Sequence, residues 1–312
     1  MRIFLTGATG YIGSAVLDAL VRGGHDVTAL VRDNGKARLV GKRGAHPVVG
    51  NLAEPDSFRS SAEAQDGYIH AAFDRTSGRG PEIEKAALEL LVAAAKRPRT
   101  AAAATPAKRF IIYTSVLWVL GQSPDPANEE APVNPIALTA WRPAHEQFIL
   151  AAATDHLRTV VVRPGVVYGG GTGIVADLFK SASNGLVRVV GDGNNHWPLV
   201  YDRDLADLYA RLAGNPDASG IYHANDEGDE RVNDIVSAIR PYVSVKPDVR
   251  YVPIDEARSK MGGFAEAMAL DLVVRSPRAR ALGWTPTLHS VAGNAARLLE
   301  EWRNAHAQEQ TA

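Results

Sequence analysis

The chain has 312 residues, enough to bury one large core or two unequal ones. Its formal net charge of −1 argues against a nucleic acid or an anionic membrane as the main partner. It has no cysteine, which excludes disulfides, thiolate metal ligands and cysteine nucleophiles. The first apolar strand starts at Arg2 and no apolar run reaches membrane-spanning length, so we expect a soluble cytoplasmic protein.

The first thirteen residues predict a strand, a tight turn and the start of a helix. The apolar run Ile3–Leu5 is followed by Gly7, Gly10 and Gly13 and then by the helical pattern Ser14–Val21. Glycine permits unusual backbone angles and lets a pyrophosphate approach the main chain, and the helix N-terminus adds N–H groups and a positive dipole end. Because a second strand follows the helix, we interpret this turn as a dinucleotide-binding turn rather than an ordinary glycine turn.

The end of the second predicted strand, Val27–Val31, indicates which dinucleotide binds. Enzymes that prefer NAD(H) usually place a carboxylate there to hold the ribose hydroxyls. Here the position falls on Val31, which cannot accept hydrogen bonds, and Arg32 follows it. Because a guanidinium pairs well with a 2′-phosphate, we predict NADP(H) rather than NAD(H). The alternative is that Arg32 is only a solvated cation at a strand end.

The rest of the chain alternates between strand and helix patterns. The other predicted strands are Pro47–Val49, Tyr68–Ala72, Arg109–Ser115, Thr159–Val162, Ile221–His223 and Val249–Val252. The other predicted helices are Glu82–Arg97, Ile136–Ala153 with an interruption at Pro143, and Leu205–Leu212, with two or three more after Ala224. Gly121–Pro135 carries four prolines and predicts a long loop, and the glycines of Gly165–Gly173 predict a flexible connection.

These elements predict an α/β protein with a doubly wound, mostly parallel sheet. We assign residues 1–165 to a dinucleotide-binding Rossmann domain, to which residues 199–223 return. Residues 166–198 and 224–312 are assigned to a smaller substrate-binding lobe. Such sheets bind ligands at the carboxyl ends of their strands, where Ala71 and Ala72 are small enough to let a cofactor approach.

Seven short motifs occur in order along nearly the whole chain. They are Thr6-Gly7-Ala8-Thr9-Gly10-Tyr11-Ile12-Gly13, Gly50-Asn51-Leu52, His70-Ala71-Ala72, Tyr113-Thr114-Ser115, Arg163-Pro164-Gly165-Val166-Val167-Tyr168-Gly169, Gly191-Asp192-Gly193 and Ala281-Leu282-Gly283-Trp284-Thr285-Pro286. Together they resemble the extended short-chain dehydrogenase/reductases, the group of the NAD-dependent sugar epimerases and dehydratases. The resemblance implies a Rossmann sheet of about seven strands, a C-terminal α/β substrate lobe, and a homodimer through the helices near 82–97 and 136–153.

The same resemblance implies where the cofactor is held. Asn51 and Leu52 would hold the adenine, since asparagine accepts a hydrogen bond as the family's aspartate does. Pro164 and Val166 would contact the carboxamide of the nicotinamide. The full set of predicted cofactor-binding residues is Gly7, Thr9, Gly10, Tyr11, Ile12, Gly13, Arg32, Asn51, Leu52, Ala71, Ala72, Arg142, Pro164 and Val166.

The proton-transfer pair of that family is missing from this chain. In the family, a Tyr-x-x-x-Lys pair serves the substrate oxygen: the tyrosine exchanges the proton, and the lysine lowers the phenol pKa and holds the ribose. Aligned on Glu146, these two positions are Leu138 and Arg142, and no lysine lies between Lys108 and Lys180. The chain is therefore identified as an atypical member whose active site is rebuilt or lost.

Three residues are candidates for the remaining chemistry, and each has a structural alternative. Arg142 either holds the ribose or nicotinamide end with its permanent donors or is a surface arginine before a proline. Ser115 either binds a substrate carbonyl or ties down its loop, and Tyr168 either transfers a proton or packs in the core. No metal site is predicted, because His145 and His196 have no carboxylate or second histidine at ligand spacing.

Three functions stay open. The leading one is an NADP(H)-dependent oxidoreductase acting on a small carbonyl or alcohol substrate. The second is a non-catalytic NADP(H)-binding sensor or scaffold, which the loss of the tyrosine and lysine favours. The third is a nucleotide-sugar epimerase or dehydratase, which the missing phenol disfavours. In each case the partner is a small molecule, and we expect no nucleic acid or membrane partner.

Overall fold

The computed structural model describes residues 1–98 and 108–311. In these ranges the strands are β1 (Arg2–Thr6), β2 (Asp26–Val31), β3 (His46–Val49), β4 (Gly67–His70), β5 (Arg109–Thr114), β6 (Ser123–Ala127), β7 (Leu157–Pro164), β8 (Val166–Tyr168), β9 (Leu186–Val190), β10 (His196–Trp197), β11 (Leu199–Tyr201), β12 (Gly220–Ala224), β13 (Glu230–Arg231), β14 (Asp248–Val252) and β15 (Leu272–Val274). The α-helices are α1 (Tyr11–Arg22), α2 (Asn34–Lys42), α3 (Arg59–Glu63), α4 (Gly80–Lys96), α5 (Arg142–Ala151), α6 (Ile174–Ser183), α7 (Asp202–Gly214), α8 (Val232–Ile239), α9 (Ile254–Met261), α10 (Phe264–Ala269), α11 (Pro277–Ala281) and α12 (Ala295–Thr311).

The chain divides into two compact units. The first holds residues 1–115, 141–163 and 205–222, and the second holds residues 116–140, 164–204 and 223–312. The division drawn from the sequence put residues 116–140 and 199–204 with the dinucleotide-binding domain, whereas here they group with the second unit. Strand pairing accounts for this grouping, because β6 pairs with β15 and β11 pairs with β8.

A seven-stranded sheet, in the order β12-β7-β5-β4-β1-β2-β3, is the framework on which the first unit is built. The five neighbouring pairs from β7 to β3 are all parallel. The chain runs outward from β1 in one direction to β3 and in the other, through β4, to β5. The carboxyl ends of β1 and β4 are therefore the expected ligand crevice of the sheet. This arrangement confirms the predicted doubly wound α/β fold.

Each unit has its own apolar core. The first core includes the fully buried side chains Phe4, Phe58, Tyr68, Leu88, Leu91, Ile111 and Val161. The second core includes Tyr168, Val187, Trp197, Leu199, Ile235 and Leu298. Each fully buried large apolar side chain contributes about 1.5–3 kcal/mol relative to leaving it exposed, which is why the β-branched run Val160–Val162 lies in an interior strand.

Four local predictions are wrong. The predicted loop Gly121–Pro135 contains β6, and the predicted connection Gly165–Gly173 contains β8. The predicted helix Ile136–Ala153 is a 3-10 turn followed by α5, whose start accommodates Pro143 because the first N–H groups of a helix have no partner inside it. After Ala224 the described residues hold five α-helices instead of two or three.

Helix α4 turns its apolar side into the first unit and its charged side outward. Ile83, Ala87, Leu88 and Leu91 are buried. The exposed charged side chains are Glu82, Lys85, Glu89 and Lys96. Of these, Lys85 and Glu89 pair across one turn at 3.3 Å. Among the described residues, no helix is long and apolar enough to cross a membrane.

Candidate functional site

The glycine turn between β1 and α1 is closed so tightly that side chains are excluded from it. Gly7 has a φ of +80°, and a Cβ there would lie 2.4 Å from the carbonyl oxygen of Ala71. A Cβ at Gly13 would lie 2.1 Å from the carbonyl oxygen of Gly7. Backbone therefore meets backbone at this point, and only glycine fits. Such close packing of strand and helix is what the glycines of a dinucleotide-binding turn permit.

Helix α1 begins at this turn without a side-chain cap. Gly10 precedes the helix in an extended conformation, no side chain accepts a capping hydrogen bond, and the first turn carries no acidic residue. Thr9 and Gly10 are exposed, and Tyr11 and Ile12 are half-buried. The positive end of the helix dipole is thus left for an anion such as a phosphate group.

Arg32 follows β2 beside the glycine turn. Thr6 at the end of β1 pairs in register with Leu30, so the residues after both strands run on side by side. Arg32 is exposed and makes no ion pair with any described residue, whereas Val31 is buried. The nearby carboxylate of Asp33 is used as the cap of α2, where it accepts a hydrogen bond from the Lys36 N–H at 2.8 Å.

The predicted cofactor-binding residues Ala71 and Ala72 follow β4, and Asn51 and Leu52 follow β3, both in the first unit. The N–H of Ala71 donates to the carbonyl of Thr6 at 3.3 Å, which joins the ends of β1 and β4. Asn51 is exposed after β3, and its Oδ1 accepts from the Ala53 N–H at 3.1 Å, so part of its acceptor capacity serves its own turn. Leu52 is half-buried and packs against the first core.

Ser115 lies at the end of β5 in a buried polar cluster. Its side chain is nearly fully buried, and its hydroxyl donates to the Glu146 carboxylate. That carboxylate also forms a buried ion pair with Arg163, with Nη2 and Oε2 2.6 Å apart. The Ser115 hydroxyl is therefore committed to a protein partner in this structure.

Arg142 starts helix α5 and points to the end of β5. Its Nη1 donates to the Tyr113 hydroxyl at 3.0 Å and to the Thr114 carbonyl at 3.2 Å. Its guanidinium carbon lies 4.3 Å from the centre of the Trp141 ring and 5.4 Å from that of Phe73. A cation stacked on an aromatic face is held electrostatically as well as by packing. The side chain keeps 14% of its surface exposed.

Pro164, Val166 and Tyr168 lie in the second unit, whereas the glycine turn, Ser115 and Arg142 lie in the first. The Val166 N–H donates to the Pro198 carbonyl at 2.7 Å. Tyr168 is fully buried, and its hydroxyl donates to Asp226 at 3.0 Å. Burial and the neighbouring Asp226 carboxyl raise the pKa of Tyr168 well above its ordinary value, which makes this phenol a reluctant proton donor.

A buried carboxylate in the first unit was missed by the sequence reasoning. Glu84 of α4 accepts hydrogen bonds from the Tyr113 hydroxyl at 2.8 Å and from His145 Nδ1 at 2.9 Å. His70 Nε2 lies 3.7 Å and Arg142 Nη1 3.9 Å from its other oxygen. Burial raises the pKa of Glu84, but the interactions with His145 and His70 and then the charge of Arg142 outweigh it and lower the pKa to about 2. Glu84 is therefore ionised at neutral pH.

The sequence contained one signal for this cluster. Glu84 precedes Ala87 and Leu88 by three and four residues, so it lies on the side of α4 that faces the core. Its partners come from elements 14 to 61 residues away along the chain, and pattern reasoning gives no means of pairing them. His145 and His196 have no carboxylate at ligand spacing along the chain, yet each meets one in the fold: Glu84 lies 2.9 Å from His145 Nδ1, and Asp271 lies 2.8 Å from His196 Nδ1. In the part of the chain that the structure describes, no group of three or more His, Asp or Glu side chains is arranged to hold a metal ion.

The chain is similar to a known protein family, to reductase and uncharacterised relatives, and in fold to a solved NADPH complex. A model of the NAD dependent epimerase/dehydratase family matches residues 3–225. Protein C2A9.02 of Schizosaccharomyces pombe is 31% identical over 293 residues, which cover 92% of this chain and 95% of that protein. The 4-hydroxy-2-methyl-3-oxo-4-farnesyl-3,4-dihydroquinoline-1-oxide ketoreductase of Stigmatella aurantiaca is 26% identical over 269 residues, covering 83% and 78%. The human epimerase family protein SDR39U1, solved with NADPH, has a TM-score of 0.77 at 19% identity, covering 96% and 99%, a likeness of fold.

Proposed function

Since this chain belongs to the NAD-dependent epimerase/dehydratase family, we propose that it is an NADP(H)-dependent oxidoreductase acting on a small carbonyl or alcohol substrate. The observation that carries the choice of cofactor is the unpaired, exposed Arg32 beside a glycine turn, with buried Val31 where a ribose-binding carboxylate would stand. The solved NADPH complex of SDR39U1 supports this cofactor, and the ketoreductase name of one relative supports a reductase.

The chemistry assigned to this chain is modest. A bound nicotinamide supplies or accepts the hydride. We assign to Arg142 the role of donating a hydrogen bond to the substrate oxygen or to the ribose, because its charge is permanent. Ser115 is the second proposed contact, and its hydroxyl has to leave Glu146 in order to reach a substrate. Burial raises the pKa of both Tyr113 and Tyr168, so we propose water as the source of the proton.

The cofactor proposal is tested by calorimetry with NADPH and NADH on the wild type, Arg32→Ala and Arg22→Ala. Loss of a charge-assisted phosphate contact costs about 1.5–3 kcal/mol, or roughly 10- to 100-fold in affinity. Arg32→Ala should lose that much affinity for NADPH and little for NADH. Arg22→Ala, an exposed arginine at the end of α1, should bind both like the wild type. Equal affinity of the wild type for both cofactors contradicts the proposal.

The reaction is tested by NADPH oxidation against a panel of small carbonyl compounds. Arg142→Ala and Ser115→Ala should each lower the rate at saturating cofactor. Full activity in both variants overturns the assignment of these residues. Tight NADPH binding with no turnover would favour the sensor or scaffold, which is consistent with the internal hydrogen bonds of Ser115 and Tyr168.

The third function, a nucleotide-sugar epimerase or dehydratase, is kept because the matching family model is named for those activities. Its chemistry depends on the proton-transfer pair, whose tyrosine position holds Leu138 here. Titration with UDP-sugars separates the two enzyme classes. Tight binding of a UDP-sugar favours the epimerase or dehydratase, and its absence favours the reductase.

We also propose that the protein is a homodimer that pairs α4 and α5 of two copies, in the cytoplasm. The proposal derives from the family resemblance, and the exposed charged side of α4 is the surface it would use. Light scattering coupled to size-exclusion chromatography measures the mass directly. A monomer at micromolar concentration contradicts the dimer.

A further inference from the structure

We propose that Glu84 is a positioning residue that fixes Arg142 at the end of β5, so that one edge of the guanidinium is presented to the cofactor or substrate. This inference rests on the proposed function of Arg142 and adds to it a residue from another helix. Glu84 itself touches no ligand in this scheme. It acts through the phenol of Tyr113 and through its charge.

Burial makes the position of Glu84 unfavourable for a carboxylate, because its charge is removed from water. It is 2% exposed, on the side of α4 that buries Ile83, Ala87 and Leu88. Removing a charge from water costs free energy that ion pairing in the interior often fails to return, and an apolar side chain commonly packs such a site at least as well. Fold stability therefore gives little reason for a carboxylate at this position. The arrangement of its partners suggests a different role.

Those partners hold Arg142 from one edge. The Tyr113 hydroxyl donates to Glu84 at 2.8 Å and accepts from Arg142 Nη1 at 3.0 Å, so a single phenol links the two charges. The Thr114 carbonyl accepts from the same nitrogen, and the Trp141 ring supports the guanidinium. Among the described residues, nothing bonds to Nη2 or Nε of Arg142. These donors remain for an oxygen of the ligand.

Charge balance gives the second argument. Arg142 is mostly buried, with 14% of its side chain exposed, and Glu84 lies 3.9 Å from it. The lowered pKa of Glu84 keeps the carboxylate ionised, so the cation has a fixed counter-charge. His145 Nδ1 binds the same carboxylate oxygen as Tyr113 and stops that oxygen from turning away. Without the carboxylate, the phenol loses its acceptor and the guanidinium loses its orientation.

A double-mutant cycle with NADPH as the probe tests this inference. Affinities are measured by nicotinamide fluorescence for the wild type, Glu84→Gln, Arg142→Met and the double variant, and thermal unfolding is recorded for each. We expect Glu84→Gln to weaken NADPH binding about tenfold when Arg142 is present and to have no effect when it is Met. Glu300→Gln, at an exposed glutamate of α12, is the control and should bind like the wild type.

A purely structural role would lower the unfolding temperature and change affinity equally in both backgrounds, and that result overturns the inference. Tyr113→Phe repeats the cycle without altering the buried charge, and it decides the matter if Glu84→Gln does not fold. We expect Tyr113→Phe to weaken binding severalfold, again only with Arg142 present. If the wild type binds no NADPH, the proposed function fails first. If it binds and both cycles are additive, only the role of Glu84 fails.

Discussion

Replacing the buried acid Asp226 by asparagine should change how stability depends on pH. Asp226 is 1% exposed and accepts hydrogen bonds from the Tyr168 hydroxyl and the Gly228 N–H, both at 3.0 Å. Burial raises its pKa to about 7, against the lowering effect of those hydrogen bonds. In the unfolded chain an aspartate has a pKa of about 3.9. Because the pKa of Asp226 is higher in the folded protein, the protonated side chain contributes to the free energy of unfolding. That contribution is complete below about pH 4 and is lost as the pH rises through about 7.

The size of the stability change follows from the difference between the folded and unfolded pKa values of Asp226. About three pKa units correspond to roughly 4 kcal/mol, an upper bound on what ionising Asp226 costs the fold. Asparagine does not ionise. Its Oδ1 accepts from the Gly228 N–H, and its amide N–H donates to the Tyr168 oxygen once that hydroxyl turns, so Asp226→Asn should gain on the wild type by up to that amount between pH 4 and pH 8. Asp202, whose pKa burial raises to about 6, is present in both proteins and cancels.

Thermal unfolding of both proteins from pH 4 to pH 8, followed by circular dichroism, measures the difference. Asp125→Asn, an exposed acid in the same unit, is the control and should track the wild type throughout. A difference between Asp226→Asn and the wild type that stays constant across this range refutes the reasoning. It would mean that Asp226 is ionised in the folded protein at every pH measured.

Three further substitutions test the glycine turn and two buried carboxylates. Gly13→Ala should weaken NADPH binding more than about tenfold because its Cβ meets backbone, whereas Gly41→Ala, whose Cβ meets nothing within 4 Å, should bind normally and gain about 0.5–1 kcal/mol of stability; equal affinities contradict this. Glu146→Gln should cost about 3–5 kcal/mol in urea unfolding, because the buried Arg163 guanidinium loses the carboxylate charge of its ion pair; a loss below about 1 kcal/mol, as for an exposed pair, would be inconsistent with it. Asp204→Ala should cost about 2–4 kcal/mol by the same assay, since its carboxylate accepts three hydrogen bonds from Thr287 and Leu288, and an unchanged midpoint speaks against it.

The sequence predicts the glycine turn well because every part of that signal is local. Spacing of three residues, an apolar strand before it and a helix after it lie within Arg2–Arg22, and the backbone crowding at Gly13 comes from the same short stretch. The crowding at Gly7 is against Ala71 after β4, and it depends on the packing of the sheet. Strand patterns likewise predicted all seven members of the sheet. The short strand β6 escaped prediction because its prolines lack N–H groups, and its pairing with β15 depends on a segment nearly 150 residues later.

The polar clusters show the opposite case. Ser115 could be read from the sequence as a ligand-binding hydroxyl or as a structural one, and only Glu146, 31 residues later, shows where its proton is directed. Glu84 is one of three glutamates in an Ala- and Leu-rich helix, and the other two, Glu82 and Glu89, are exposed, so its residue type alone does not predict burial. Residue type and spacing along one element therefore predict elements and turns, whereas the partners of buried charges depend on how separate elements pack.

The outward side of α4 has a consequence for self-association. Glu82, Lys85, Glu89 and Lys96 give that side both signs of charge and no large apolar patch. Two copies joined along this side would be held by ion pairs between opposite charges. Salt weakens such ion pairs, because the screening length is about 10 Å at 0.1 M ionic strength. Such a dimer would dissociate in concentrated sodium chloride and re-form when the salt is diluted, unlike a dimer with an apolar interface.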